Sequence, residues 1–96
     1  MSENPQATVN VIIPEPLRCH TDGVADIWVT ARTVADALMQ LAAEFPDIGP
    51  VLVSEEGALR HGVVVCLGDA DIRFRGGITA PLGDARSLQI IVPMLV

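Results

Sequence analysis

Residues 33–46, TVADALMQLAAEFP, contain the one clear helical pattern of the chain. Apolar residues recur there at intervals of four, three and four positions, as on one face of an α-helix: Val34, Leu38, Leu41 and Phe45. Thr33, followed three residues later by Asp36, resembles a helix N-cap. Pro46 ends the pattern because it lacks an N–H and restricts the residue before it. The stretch predicts a helix over residues 33–45 whose apolar face must pack on a second layer.

Strand patterns flank this helix on both sides. Residues 7–13 and 24–30 are rich in β-branched residues and alternate in polarity, which predicts two strands joined as an antiparallel hairpin. In the second of these, Ile27 and Val29 share the face that we assign to the core, so Trp28 points outward. After a mixed loop with one short helical turn, three further elements are predicted: a central strand buried on both faces at 63–67, a short edge element at 71–74 and a last strand at 88–92.

This order of elements defines an architecture. A helix that follows a hairpin covers one face of the sheet, and we expect the first and last strands to pair in parallel at its centre. The predicted fold is α+β, the β-grasp arrangement of ubiquitin, with a mixed sheet of four to five strands and one helix packed across it. We assign residues 1–6 to a flexible N-terminal tail and residues 7–96 to a single domain.

Composition narrows the classes of function. The chain has 96 residues and a net charge of −6, so it has no basic surface to neutralise a row of phosphates and we expect no nucleic-acid binding. It begins without a signal peptide and has no apolar run of the roughly 18 residues that cross a bilayer. We therefore expect no membrane association and a cytoplasmic location.

Five phrases of sequence carry a resemblance to a known family. They are 11–18 with VIIP and Leu17-Arg18, 33–46, 57–60 with GALR, 71–82 with DIRF and TAPL, and 91–93 with IVP. In this order and spacing they resemble the ThiS/MoaD family of sulfur carriers, and most of all its cysteine-biosynthesis type. The resemblance covers residues 8–96. It implies the β-grasp fold and a sulfur-carrier protein. Because the sequence contains no Gly-rich phosphate loop and no convincing metal or nucleophile site, we also expect that the protein is not an enzyme and needs no cofactor.

The resemblance also implies partners and contact residues. Members of this family end in Gly-Gly, and an adenylating, ubiquitin-activating-like enzyme converts the terminal carboxylate into an adenylate. Sulfur then replaces AMP to give a thiocarboxylate, which a sulfur-acceptor enzyme consumes. The contacts carried over by position are Pro14, Arg18, Arg73, Val92 and Pro93, followed by the tail Met94, Leu95 and Val96.

The tail is where this sequence departs from the family. After Pro93 the family pattern runs three residues and then Gly-Gly, whereas Met94, Leu95 and Val96 are the last three residues of this sequence. Two interpretations stay open: two residues have been removed, or the chain is a divergent β-grasp interaction module that carries no sulfur. Ending two residues early shortens the reach by about 7 Å, so we expect that a polypeptide ending at Val96 does not accept sulfur.

Other candidate sites are weaker. The side chains of Cys19, His20, His61 and Cys66 lack the spacing of a zinc site, so we predict neither a metal site nor a catalytic residue. We interpret Arg75, Gly76 and Gly77 as a turn and expect Phe74 to lie in the core. Exposed tryptophans often anchor partners, so Trp28 is a partner-binding candidate, with packing at the sheet edge or under the N-terminal tail as the alternative.

Overall fold

The computed structural model describes residues 6–83 and 85–92. The strands and helices follow one another as β1 Ala7–Ile12, β2 Asp26–Ala31, α1 Val34–Glu44, α2 Gly49–Leu52, β3 Val64–Leu67, β4 Ala70–Asp71 and β5 Ser87–Ile91. Short 3-10 turns at Glu15–His20, Ile72–Phe74 and Gly77–Thr79 complete the connections. The predicted order of elements is confirmed, including the helical turn in the loop after α1. The expected tail at residues 1–6 lies almost wholly outside the described residues.

The five strands form one mixed sheet in the order β2-β1-β5-β3-β4. The first hairpin is antiparallel, and β1 pairs in parallel with β5 at the centre, with Val11 opposite Leu88. Strand β3 is antiparallel to both β5 and β4. This is the predicted β-grasp arrangement, with the first and last strands side by side.

Helix α1 starts where its N-cap was predicted. The Thr33 hydroxyl accepts a hydrogen bond from the Asp36 N–H at 3.2 Å, which satisfies one of the free donors of the first turn. The Asp36 carboxylate in turn accepts from the Arg32 N–H at 3.2 Å. Helix α1 packs across the sheet and closes its inner face. No helix among residues 6–83 and 85–92 is long and apolar enough to cross a membrane.

The core lies between α1 and the inner face of the sheet. Its strand residues are fully or almost fully buried and alternate along each strand: Val9, Val11, Val29, Ala31, Val65, Leu88 and Ile90. The prediction that 63–67 is buried on both faces is wrong, because only Val65 is fully buried and Val64 and Cys66 are half-buried. The helices cover one face of the sheet, so the outward residues of β3 keep part of their surface.

The expectation that Phe74 lies in the core is also wrong, since its side chain is 84% exposed. The chain leaves strand geometry after Asp71, whose carboxylate accepts a hydrogen bond from the Arg73 N–H at 2.9 Å. The following 3-10 turn breaks the alternation of the strand. Ile72 therefore takes the core position, and Phe74 points into solvent.

Candidate functional site

The outer face of the sheet, opposite α1, is uncovered by any other described element. One row of paired residues crosses it from edge to edge: Asp26, Ile12, Gln89, Cys66 and Asp71. Two large apolar side chains stand out from this face, Trp28 at 62% exposure and Ile91 at 41%. Buried aliphatic residues of the same strands face the other way. The outer face thus carries apolar surface that the fold itself does not use.

Trp28 stands on a polar edge of this face. It lies opposite Asn10 across the β1–β2 ladder, and the Asn10 amide donates to the Asp26 carboxylate at 2.9 Å. The Asn10 Oδ1 atom is buried and has no partner among the described residues. With most of its surface free, Trp28 points outward as predicted. Among the described residues the alternative of packing at the sheet edge is wrong.

The directions of the strands bring four of the predicted contact residues to one end of the sheet. Strands β1, β4 and β5 all run the same way, because β1 is parallel to β5 and β4 follows an antiparallel turn from β3. Pro14 and Arg18 follow β1, Arg73 follows β4 and Val92 follows β5. The chain therefore leaves β5 at the end where these residues lie. Pro93, Met94, Leu95 and Val96 lie outside the described residues.

The backbone at this end is tied down locally. The Arg18 Nε atom donates to the Ile13 carbonyl at 3.1 Å, and both Pro14 and Arg18 are half-buried. Val92 is also half-buried and packs against the hydrophobic core. Strand β5 is held by β1 on one side and by β3 on the other. The segment that follows it consequently starts from a fixed position.

Arg73 forms an ion pair at the β4 edge of the sheet, which is the edge opposite to β2 and Trp28. Its Nε and Nη2 atoms donate to Asp71 Oδ2 at 2.9 and 2.7 Å. The side-chain hydrogen bonds from Arg73 hold the pKa of Asp71 below its ordinary value, and the hydrogen bond from the Arg73 backbone N–H is the second cause. The side-chain hydrogen bonds to Asp71 also raise the pKa of Arg73. Phe74, the next residue, is exposed beside this pair, so the core position expected for it is wrong and the alternative of a partner contact stays open. An aspartate that can bond a backbone N–H two residues on was the available signal.

Among the described residues no three side chains of His, Cys, Asp or Glu form a group that could hold a metal ion. Cys19 is exposed and Cys66 half-buried on the outer face, and both are free thiols. The turn at Gly76 and Gly77 has positive φ at both glycines, which favours residues without a Cβ.

Known proteins are similar to this chain in sequence and in fold. No protein-family model matches the chain. The sulfur carrier protein CysO of Mycobacterium tuberculosis is 32% identical over 85 residues, which are 86% of this chain and 91% of that protein. The chain belongs to the CysO family of sulfur carrier proteins. The resemblance to sulfur carriers of the cysteine-biosynthesis type is thereby confirmed, and the protein is a carrier rather than an enzyme.

Solved structures agree with this assignment. A chain of the crystal structure of the Amycolatopsis orientalis BexX/CysO complex matches with a TM-score of 0.84 at 32% identity, covering 92% of this chain and 98% of that one. The crystal structure of SAMP1 from Haloferax volcanii matches with a TM-score of 0.79 at 16% identity, covering 94% and 99%. The second match shows the same fold and no more.

Proposed function

We propose that this sulfur carrier docks on an adenylating enzyme through the outer face and the carboxyl end of β5. We further propose that its form extended by Gly-Gly, the tail that is absent or removed here, delivers sulfur as a C-terminal thiocarboxylate to an acceptor enzyme. The observation that carries the proposal is the uncovered outer face with Trp28 and Ile91 exposed on it. A crystal structure of a CysO protein in complex with BexX supports the idea that such carriers bind a partner protein. We further propose the cytoplasm as the compartment, because activation consumes ATP.

The chemistry of the outer face suits such a partner. Fully desolvated aromatic residues at the centre of an interface contribute most of its binding energy, and Trp28 offers the largest such side chain here. Carboxylates at Asp26 and Asp71 lie at the two ends of the row that crosses the face. The whole chain carries a charge of −6. We therefore expect an apolar pocket rimmed by basic side chains on the adenylating enzyme, which would also raise the association rate.

Strand β5 supports the proposed use of the tail. A central strand paired on both sides is a rigid origin for the residues that follow it, and rigid placement lowers the cost of bringing a reacting group into line. In the proposed reaction the terminal carboxylate attacks the α-phosphate of ATP and releases pyrophosphate. A sulfide donor then attacks the acyl carbon and AMP leaves. The carrier contributes only its carboxyl group and the docking face.

The tail chemistry is tested with two polypeptides, one ending at Val96 and one extended by Gly-Gly. Each is incubated with the adenylating enzyme, ATP and a sulfide source, and its intact mass is measured. The extended form should gain about 16 Da, the difference between a hydroxyl oxygen and sulfur in a covalently activated acyl group. The form ending at Val96 should gain nothing, because its carboxylate falls about 7 Å short of the extended one. No gain in the extended form would exclude thiocarboxylate carriage.

The docking face is tested by Trp28→Ala. Loss of a hot-spot tryptophan costs about 2 kcal/mol or more, so the affinity for the adenylating enzyme should fall by at least about 30-fold. Met39→Ala is the matched control, because Met39 is as well exposed but lies on α1, opposite the outer face. Isothermal titration calorimetry measures both. Equal affinities for the two variants would show that the enzyme does not use the outer face.

A further inference from the structure

A second apolar surface lies on the side of the molecule opposite Trp28. It is a groove of about 160 Å³ between α1, α2 and the turns that follow them. Its lining is almost wholly apolar and includes Ala35, Leu38, Met39, Gly49, Leu52 and Gly57. We call it the helix-side groove. None of the residues in the outer-face row contributes to it.

Small residues create the groove. Helices α1 and α2 approach so closely that a Cβ atom at Gly49 would lie 3.2 Å from the Ala42 Cβ, while Ala35 and Gly57 leave open space above the buried Leu38 and Leu52. Apolar cavities of about 150 Å³ take up benzene. The helix-side groove is therefore the size of one aromatic ring. Its rim carries Met39, a flexible side chain that adapts to an apolar ligand, and this residue is 70% exposed.

Two acidic residues lie in the turn beside the groove. Glu55 and Glu56 are exposed in the turn between Val53 and Gly57, and those two residues both line the groove. The turn is closed by a hydrogen bond from the Gly57 N–H to the Ser54 carbonyl at 2.9 Å. Within residues 6–83 and 85–92, neither glutamate side chain has a hydrogen bond or ion pair. Both carboxylates are thus available to cationic groups of a ligand.

We infer that the helix-side groove binds a partner protein through an aromatic side chain flanked by arginine or lysine. The groove matches one aromatic ring in size, and the carboxylates of Glu55 and Glu56 attract the flanking cations. Because the groove and the outer face are on opposite sides of the sheet, the carrier can hold this partner while its outer face is occupied. The inference does not depend on the proposed adenylation, since it concerns other residues and needs no tail.

The probe is the tripeptide acetyl-Arg-Phe-Arg-amide, titrated into the folded 96-residue chain and followed by amide chemical shifts. Saturable shifts should appear at Ala35, Met39 and Gly57 and not at Trp28. Acetyl-Glu-Phe-Glu-amide tests the charges, and acetyl-Arg-Ser-Arg-amide tests the ring. Both should bind more weakly. Equal binding of all three peptides, or shifts spread over the whole surface, would overturn the inference.

Three variants locate the binding. Reversing one exposed charge, Glu55→Lys, should weaken the arginine peptide about fivefold, the upper range for an exposed ion pair, and Glu15→Lys, outside the groove, should leave it unchanged. Ala35→Leu fills the groove and should abolish binding, provided its amide spectrum stays dispersed. If it does not fold, the two glutamate variants still decide, since both are on the surface. Shifts that depend on protein concentration without any peptide would show that a second copy of the chain occupies the groove and would overturn the assignment to a partner.

Discussion

The two faces of the sheet are made by alternate residues of the same strands, yet they differ in burial. On the inner face, Val11, Leu88 and Ile90 are buried beneath α1. On the outer face, Ile12, Gln89 and Ile91 follow them one position later and stay partly or largely exposed. The inner face of this small sheet supplies the stability of the fold, while the outer face is left uncovered. A substitution of an inward residue should therefore lower the stability of the fold, whereas a substitution of the next, outward residue should lower the affinity for a partner.

Ile90 and Ile91 offer the sharpest version of this comparison and the largest expected effect. Ile90→Ala removes a side chain that is 1% exposed and should lower the free energy of unfolding by about 2–5 kcal/mol. Ile91→Ala, on the outer face, should change it by less than about 1 kcal/mol. Urea denaturation at pH 7 measures both. The control is the slope of the transition, which should be the same in the two variants.

The same pair separates folding from docking. We expect Ile91→Ala to weaken binding to the adenylating enzyme although the protein remains folded. If Ile91→Ala destabilises the protein as much as Ile90→Ala, the outer face belongs to the folding core and the proposed division between the faces is wrong.

The strand alternation made much of this predictable from the sequence. The alternation of polarity in residues 24–30 and 88–92 predicted the inward residues correctly. The outward position of Trp28 followed from its neighbours Ile27 and Val29. The apolar run at 63–67 was misleading because it lacks alternation. Its outward members, Val64 and Cys66, are apolar on a face that no helix covers. An apolar run that the fold does not need on both sides is itself a signal of binding surface.

The position of Phe74 could not be predicted from the strand alternation. Its position depends on the bond between Asp71 and the Arg73 backbone, which ends the strand after two residues and replaces its period by that of a 3-10 turn. Asp71 was the available signal for this turn, but the alternation of polar and apolar residues from Asp71 to Phe74 fits a continuing strand equally well. The helix-side groove was equally hidden, because it arises from the close approach of α1 to α2 at Gly49 and not from any local motif.

The N-cap of α1 provides the next largest effect, on the helix that covers the inner face. Thr33→Ala removes the hydroxyl that accepts from the Asp36 N–H and should cost about 1 kcal/mol of stability. Thr33→Ser keeps this acceptor and should cost clearly less. Thermal unfolding distinguishes the two. Binding at the outer face should be unchanged in both folded variants, and a loss of docking in Thr33→Ala would show that the two faces are coupled through the helix.

The smallest effect concerns the charges at the edge of the outer face. Hydrogen bonds from Arg73 hold the pKa of Asp71 below its ordinary value of 3.8. A carboxyl group whose pKa is lowered by folding contributes stability above its unfolded pKa and loses it as the pH falls through the folded value. Any contribution of the pair should consequently be present at pH 7 and disappear only below about pH 4. Because Arg73 is largely exposed, we expect that contribution to be small.

The titration of the Asp71 carboxyl, followed by carbon-13 chemical shifts, measures this directly. Arg73→Gln removes the guanidinium donors, so the midpoint should move upward towards the ordinary value. Arg75→Gln removes a nearby positive charge that does not bond Asp71 and should leave the midpoint almost in place. The free energy of unfolding at pH 7 should hardly change in either variant. That result would show that this edge of the sheet, like the outer face, is dispensable for folding and available for a partner. A midpoint that stays low in Arg73→Gln would contradict the assigned cause, and a large loss of stability would assign this edge to the folding core.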